Sequence, residues 1–182
     1  MRLFVGIPLS ATVIDQLSAI TARLRSGGDG LRWSAPESWH ITLQFLGNTE
    51  RERYACVVAR LRELHAPSVP IWLEELGFFD RAGILFAGVR LTPELLSLQS
   101  SITAATALCG FLPEARPYQA HITLARSKRK GQPQSLQDLK AKLARPTNFT
   151  RFVSQQFLLY ESFLDPAGSR YEVRERFDLN RH

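Results

Sequence analysis

Apolar residues along this 182-residue chain recur with two different periods. "LFVGIPL", residues 3–9, is a short apolar run of the kind that forms a strand, and Ser10 after it is placed to cap a helix. Val13, Ile14, Leu17, Ile20 and Leu24 then follow helical spacing, and Gly27 and Gly28 are expected to end that helix. A loop rich in Ser, Pro and Gly leads to "WHITLQFL", residues 39–46, which alternates as a half-buried strand does. Thr49 with Glu52 three places on has the form of a capping box, opening a helix through about His65. Segments 69–79 and 83–91 are predicted as two strands joined at "DRAG". Thr92 followed by Pro93 opens a further helix that Gly110 closes. A second histidine strand covers about 120–126 and a short helix about 135–144. Two long strands, 149–163 and 169–178, are joined through "DPAGS".

Strand–helix–strand thus recurs in the two halves. That predicts an α+β fold of two similar lobes, each an antiparallel sheet with helices on its outer face, and a cleft between the lobes. No linker or low-complexity tract interrupts residues 1–182, so the whole is taken as a single bilobal domain with an internal pseudo-repeat.

Composition changes this picture in two places. Apolar content of 45% and charged content of 22% are ordinary for a globular protein, and no run approaches the roughly 18–20 apolar residues of a membrane span. "MRLFVGIPLS" makes a poor signal peptide, so a cytoplasmic protein with no membrane partner is expected. The two cysteines, Cys56 and Cys109, both fall in predicted helices without metal-type spacing and are expected to be reduced core thiols of a cytosolic protein, although a pair does not by itself exclude a disulfide. A net charge of +6 favours an anionic partner, nucleic acid first, because Lys and Arg displace counterions from phosphates.

The candidate chemistry lies in a repeated tetrapeptide. Two of the four histidines, His40 and His121, head the sequence His-Ile-Thr-Leu about half a chain apart. Side chains alternate along a strand, so residues two apart share a face roughly 6.5–7 Å from each other. Alternation puts Trp39, Ile41, Leu43 and Phe45 on a buried face and His40, Thr42 and Gln44 on the other. In the second strand Ile122 and Leu124 point inward, and His121, Thr123 and Ala125 share the opposite face. Each strand therefore offers an imidazole beside a hydroxyl. One neutral imidazole takes a proton while a second, charged one gives a proton up, and threonine donates to a phosphoryl oxygen. Facing each other across a phosphodiester, the two imidazoles are expected roughly 6–8 Å apart, nitrogen to nitrogen.

Two H-x-T strands at 40–42 and 121–123, "HITLQFLG" and "HITLAR", after an opening "RLFVGI", resemble the two-histidine phosphoesterase superfamily. Within it the chain is similar to the bacterial and archaeal RNA 2′,3′-cyclic phosphodiesterases, also called 2′–5′ RNA ligases. The resemblance covers essentially the whole chain, including "RPYQAHITLAR" around the second motif. It implies hydrolysis of a terminal 2′,3′-cyclic phosphate to a 2′-phosphomonoester without metal or cofactor. It assigns His40 as proton donor, His121 as proton acceptor, and Thr42 and Thr123 as phosphate-gripping hydroxyls; the near symmetry of the two strands does not itself decide which ring gives and which takes. Similar proteins often have proline before the second motif, where this chain has Ala120.

Other residues carry weaker signals. Arg126, at the mouth of the second motif, is a phosphate-binding candidate, with a surface salt bridge as the competing role. Lys128, Arg129 and Lys130, in "SKRK", are candidates for the RNA backbone, although charge runs are usually solvated loops. Phe4 shares a face with Gly6 and Pro8, which makes it a candidate for stacking on a base as well as for core packing. Trp39 is expected in the core, Tyr118 is undecided, and His65 and His182 are expected on the surface. Neither H-E-x-x-H nor H-x-H nor a paired-Cys arrangement occurs, so no metal ligation is expected. The partner expected is RNA with 2′,3′-cyclic phosphate ends, bound by a monomer. Two other readings keep the cleft: a ligase joining such an end to a 5′-hydroxyl, and a module that holds RNA ends or nucleotides without turning them over.

Overall fold

In the computed structural model, which describes residues 1–26, 30–128, 139, 143, 148–165 and 168–180, the opening apolar run is strand β1 (Arg2–Pro8). Helix α1 (Ala11–Leu24) follows, with the Ser10 hydroxyl accepting from the Val13 N–H. Its stripe of Val13, Leu17, Ile20 and Leu24 is buried as the spacing predicts; Gly27 and Gly28 lie outside the described residues. Then come β2 (Leu31–Trp33), a 3₁₀ turn at Pro36–Ser38, β3 (His40–Asn48), α2 (Arg51–Arg62), β4 (Val69–Ile71), β5 (Leu73–Phe79), β6 (Ile84–Val89) and α3 (Pro93–Ala107). The chain continues with β7 (His121–Ser127), β8 (Phe152–Ser154), β9 (Gln156–Asp165) and β10 (Gly168–Asp178).

The architecture is α+β, built on two four-stranded antiparallel sheets with orders β10-β9-β1-β3 and β2-β7-β6-β5, and a small β4-β8 pair. The sheets do not coincide with the halves of the sequence. β2, hidden in the loop between α1 and β3, pairs with β7 through Leu31↔Ser127, Arg32↔Arg126 and Trp33↔Ala125, while the C-terminal β9 and β10 complete the first sheet. Leu3, Val5 and Ile7 of β1 share one buried cluster with Leu17 of α1, Ile122 of β7 and Leu98 of α3, so a single core runs beneath both sheets.

Local signals are corrected in four places. The capping box at Thr49 does not form: Glu50 is the N-cap residue of α2, and Thr49 is buried, its hydroxyl donating to the Gly47 carbonyl and its N–H to that of Met1. The main chain of Thr49 is tied to Met1 at the chain start and its hydroxyl is turned back to Gly47, away from the first turn of α2. The segment 69–79 divides at Trp72, because β4 turns aside to pair with β8 while β5 pairs with β6; 149–163 divides at Gln155 for the same reason. Of the helix expected at 135–144, only Leu139 and Leu143 lie within the described residues. Finally, Cys56 and Cys109 are not free thiols but a disulfide with Cα atoms 5.8 Å apart. Helices α2 and α3 lie side by side, which brings the two sulfurs together across 53 residues of sequence. The thiol argument for a reducing compartment therefore falls away. Gly110, with φ of +82°, ends the turn after α3 as the sequence predicts.

Candidate active site

The two His-Ile-Thr-Leu strands share an irregularity that alternation does not reveal. In β3, Val5 of β1 faces Gln44 and Gly6 faces Thr42, which leaves Leu43 as an extra residue. In β7, Leu85 of β6 faces Ala125 and Phe86 faces Thr123, which leaves Leu124 extra at the same motif position. A bulge turns two successive side chains to one side. Leu43 and Gln44, and likewise Leu124 and Ala125, are all buried, and Phe45 and Arg126 are exposed instead. This corrects the expected faces of Gln44, Phe45 and Ala125. It also turns Arg126 onto the face that carries His121 and Thr123: its partner Ile84 shares a face of β6 with Phe86 and Gly88, the partners of Thr123 and His121.

Each histidine is held in the same way. The Nδ1 of His40 lies 2.7 Å from the carbonyl of Ser38, and the Nδ1 of His121 lies 2.8 Å from that of Gln119. A carbonyl only accepts, so in both rings Nδ1 carries the proton and Nε2 is the nitrogen left for chemistry. Thr42 and Thr123 stand two residues beyond, and neither hydroxyl has a hydrogen-bond partner among the described residues.

Aromatic rings set the position of both imidazoles. His40 lies against Phe4 with ring centroids 4.5 Å apart, and the edge of Tyr171 meets it at 5.1 Å. His121 meets Phe79 at 5.2 Å and Phe86 at 5.8 Å. Phe86 lies across β5 at Gly77, where a Cβ would stand 2.6 Å from its ring, so only glycine admits that placement. The surroundings of His40 push its pKa down to about 4: burial contributes most, the charges of His121 and Arg126 act in the same sense, and the Ser38 carbonyl opposes them. Strands β3 and β7 lie against each other, and the charges of His121 and Arg126 on β7 bear on the His40 ring of β3.

The remaining candidates divide. Phe4 is on the cleft face but only 2% exposed, covered by His40, Tyr160 and Tyr171; it is the wall behind His40, with no open face for a base. Lys128 is exposed just past β7, while Arg129, Lys130 and His182 lie outside the described residues. Trp39 is buried and His65 is exposed, as expected. Tyr118 donates from its hydroxyl to the Thr42 carbonyl at 2.8 Å, and Gln99 reaches the Leu43 carbonyl at 3.5 Å, so these side chains cover the outer edge of β3. Sequence reasoning missed Phe79, Phe86, Tyr160 and Tyr171, whose strands give no local sign of converging on a histidine.

The family model described as "LigT like Phosphoesterase" matches residues 7–86 and 89–171, one match for each motif. The chain belongs to the LigT-like phosphoesterases. Among curated relatives, the RNA 2′,3′-cyclic phosphodiesterase of Archaeoglobus fulgidus is 31% identical over 98% of this chain and 100% of its own length. That of Thermotoga maritima is 28% identical over 95% of this chain and 92% of its own. A crystal structure of E. coli LigT complexed with 3′-AMP superposes with a TM-score of 0.82 at 25% identity, covering 98% of this chain and 97% of that one.

Beside His40 this LigT-like phosphoesterase has a cavity of about 270 Å³, lined among others by Pro36, Tyr160, Tyr171, Val173 and Arg176. Among the described residues, no group of three or more His, Cys, Asp or Glu side chains converges to hold a metal ion, and no helix is long and apolar enough to cross a membrane.

Proposed function

We propose that the protein is an RNA 2′,3′-cyclic phosphodiesterase that opens a terminal cyclic phosphate to a 2′-phosphomonoester by acid–base catalysis between His40 and His121. The observation that carries this reading is the matched presentation of two imidazoles, each with Nδ1 pinned to the carbonyl two residues back, Nε2 free and an unbonded threonine hydroxyl beside it. A binding module has no use for two rings held with the same nitrogen free. The names of the relatives point the same way, as does the 3′-AMP bound by E. coli LigT.

In the reaction, Nε2 of His121 takes a proton from water as its oxygen attacks phosphorus. The bond from phosphorus to the 3′ oxygen breaks, and Nε2–H of His40 gives its proton to that oxygen. Thr42 and Thr123 donate to the non-bridging oxygens, where negative charge must be held, and Arg126 adds a positive charge there. The ribose, attached through the departing oxygen, lies on the His40 side, where the 270 Å³ cavity receives the nucleoside. His40 is mostly neutral at pH 7 in the empty site, since its pKa is about 4. A bound phosphodiester anion favours the charged ring against burial and against the repulsion from Arg126 and His121, so His40 takes up from solvent, as the substrate binds, the proton that it then donates.

The depressed His40 pKa also favours one second assignment, with His40 as base and His121 as acid. Both assignments require both rings. The test is product analysis on a short RNA ending in a 2′,3′-cyclic phosphate, in the presence of chelator. The 2′-monoester is expected, with turnover falling about 10²–10⁴-fold in His40→Ala and in His121→Ala. Unchanged turnover in either variant overturns the mechanism.

A further inference from the structure

Arg32 stands directly opposite Arg126 in the antiparallel register of β2 and β7. Residues so paired share a face with Cβ atoms about 4.5–5.5 Å apart, and like charges in that position destabilise a sheet. Both side chains are exposed, and neither makes a hydrogen bond, ion pair or ring contact to any described residue. Lys128 follows Arg126 just past the end of β7, exposed as well. The protein therefore holds two guanidiniums side by side on one face of the β2–β7 pair, with no carboxylate among the described residues bound to either of them. This arrangement suits a polyanion that arrives from outside.

The geometry orders the charges. Arg126 is near enough to the reacting centre to depress the His40 pKa, whereas Arg32 has no such influence and lies one strand farther out. With Leu124 taken up in the bulge, Arg126 is two regular strand steps beyond Thr123, about 6–7 Å. That step is of the order of the spacing between neighbouring phosphates on an extended RNA strand. With the terminal phosphate between the threonines and Arg126, the next phosphate of the chain comes within reach of Arg32. Arginine is the side chain suited to this contact, being always charged and able to present two parallel N–H donors.

We propose that Arg32, paired in register with Arg126, holds the second phosphate of the substrate, so that the site selects a cyclic-phosphate end carried on an RNA chain over a free cyclic mononucleotide. This rests on the reading of the site as a cyclic phosphodiesterase, whose substrate class it narrows.

The experiment compares uridine 2′,3′-cyclic phosphate with a trinucleotide ending in the same cyclic group. Arg32→Gln lowers kcat/KM for the trinucleotide about tenfold or more and changes that for the mononucleotide by no more than about twofold. Its plot of log kcat/KM against log salt for the trinucleotide is shallower by about one. Replacing the linkage before the cyclic nucleotide by a neutral methylphosphonate costs the wild-type protein the same factor and costs Arg32→Gln nothing further. Arg23→Gln, an exposed charge at the end of α1, changes neither substrate and controls for net charge. Equal loss on both substrates, or on neither, overturns the proposal. A titration with trinucleotides ending in a 3′-phosphate, read as affinity, separates the two readings. A contrast there without hydrolysis of either cyclic substrate refutes the enzyme reading and leaves the subsite standing; hydrolysis without a contrast refutes the subsite.

Discussion

Phe4 and His40 lie ring against ring, centroids 4.5 Å apart and planes inclined by 31°. Phe4 is also stacked on Tyr160 at 4.9 Å, so a short column of rings backs the imidazole and keeps water from that side. Shortening Phe4 to leucine opens the column. In Phe4→Leu the His40 pKa should rise from about 4 toward 6.5, as seen in an NMR titration of its ring nitrogens. Turnover should fall about tenfold or more as the ring loses its fixed position, with a stability loss of about 1–2 kcal/mol.

The same burial makes the fold acid-sensitive. Between pH 6.5 and about 4 the unfolded chain protonates His40 and the folded protein does not. A group whose folded pKa is depressed in this way takes up more protons on unfolding, so stability falls as pH falls through that window. The loss reaches up to about 3 kcal/mol at its lower end. Urea unfolding at pH 7 and pH 4.5 should show this slope in the wild type and a flatter one in His40→Gln. Equal slopes would show that His40 is not held neutral.

The roles of the two histidines separate through the leaving group. A substrate in which sulfur replaces the departing 3′ oxygen needs no general acid, because a thiolate leaves unprotonated. With His40 as acid, His40→Ala should cleave this substrate within about tenfold of the wild type, while His121→Ala stays impaired by 10²-fold or more. The opposite pattern assigns His121 as acid and His40 as base.

Tyr118 ties the loop before β7 to the Thr42 carbonyl, a bond that crosses from one motif to the other. Burial pushes the Tyr118 pKa up, so the phenol remains a donor at every pH at which the fold persists. Tyr118→Phe leaves that carbonyl without its side-chain partner, at a cost of about 1–2 kcal/mol in chemical unfolding. A severalfold drop in kcat, reflecting a displaced Thr42, should accompany it.

The Cys56–Cys109 bond closes a loop spanning 53 residues of sequence. By the loop-entropy relation its removal costs about 4 kcal/mol. The double variant Cys56→Ala with Cys109→Ala should therefore unfold at markedly lower temperature, and a reductant should destabilise the wild type but not the variant. The cysteines lie in α2 and just past α3, outside the strands that carry the histidines, so kcat at 25 °C should be unchanged.

What the sequence made legible was periodic or repeated. The amphipathic stripe of α1, the α+β class and the paired His-Ile-Thr-Leu strands all follow from spacing alone. What escaped it depends on contacts between distant segments. No local pattern announces that Leu43 and Leu124 are extra residues, because a bulge is a relation between two strands. For the same reason alternation predicts Phe45 in the core and keeps Arg126 off the face of His121 and Thr123, where the structure has the reverse. β2 escaped notice because three residues, Leu31–Trp33, are too few to establish a period. Thr49 has the right neighbours for a cap, but its hydroxyl is engaged by the Gly47 carbonyl. Cys56 lies in α2 and Cys109 in the turn just past α3, and these segments meet only when the fold is complete.

The placement of β2 has a consequence for how the molecule can be divided. The chain leaves α1, is sewn to β7, and only then returns to begin β3 a few residues later. Further stitches, Ser34 N–H to the Leu124 carbonyl and Lys128 N–H to that of Gly30, lie to either side of the pairing. Main-chain lacing thus joins the segment that leads into β3 directly to β7. Fragments severed near Leu91 would each inherit half of that seam, so they should fold only when mixed, recovering turnover as a two-piece enzyme.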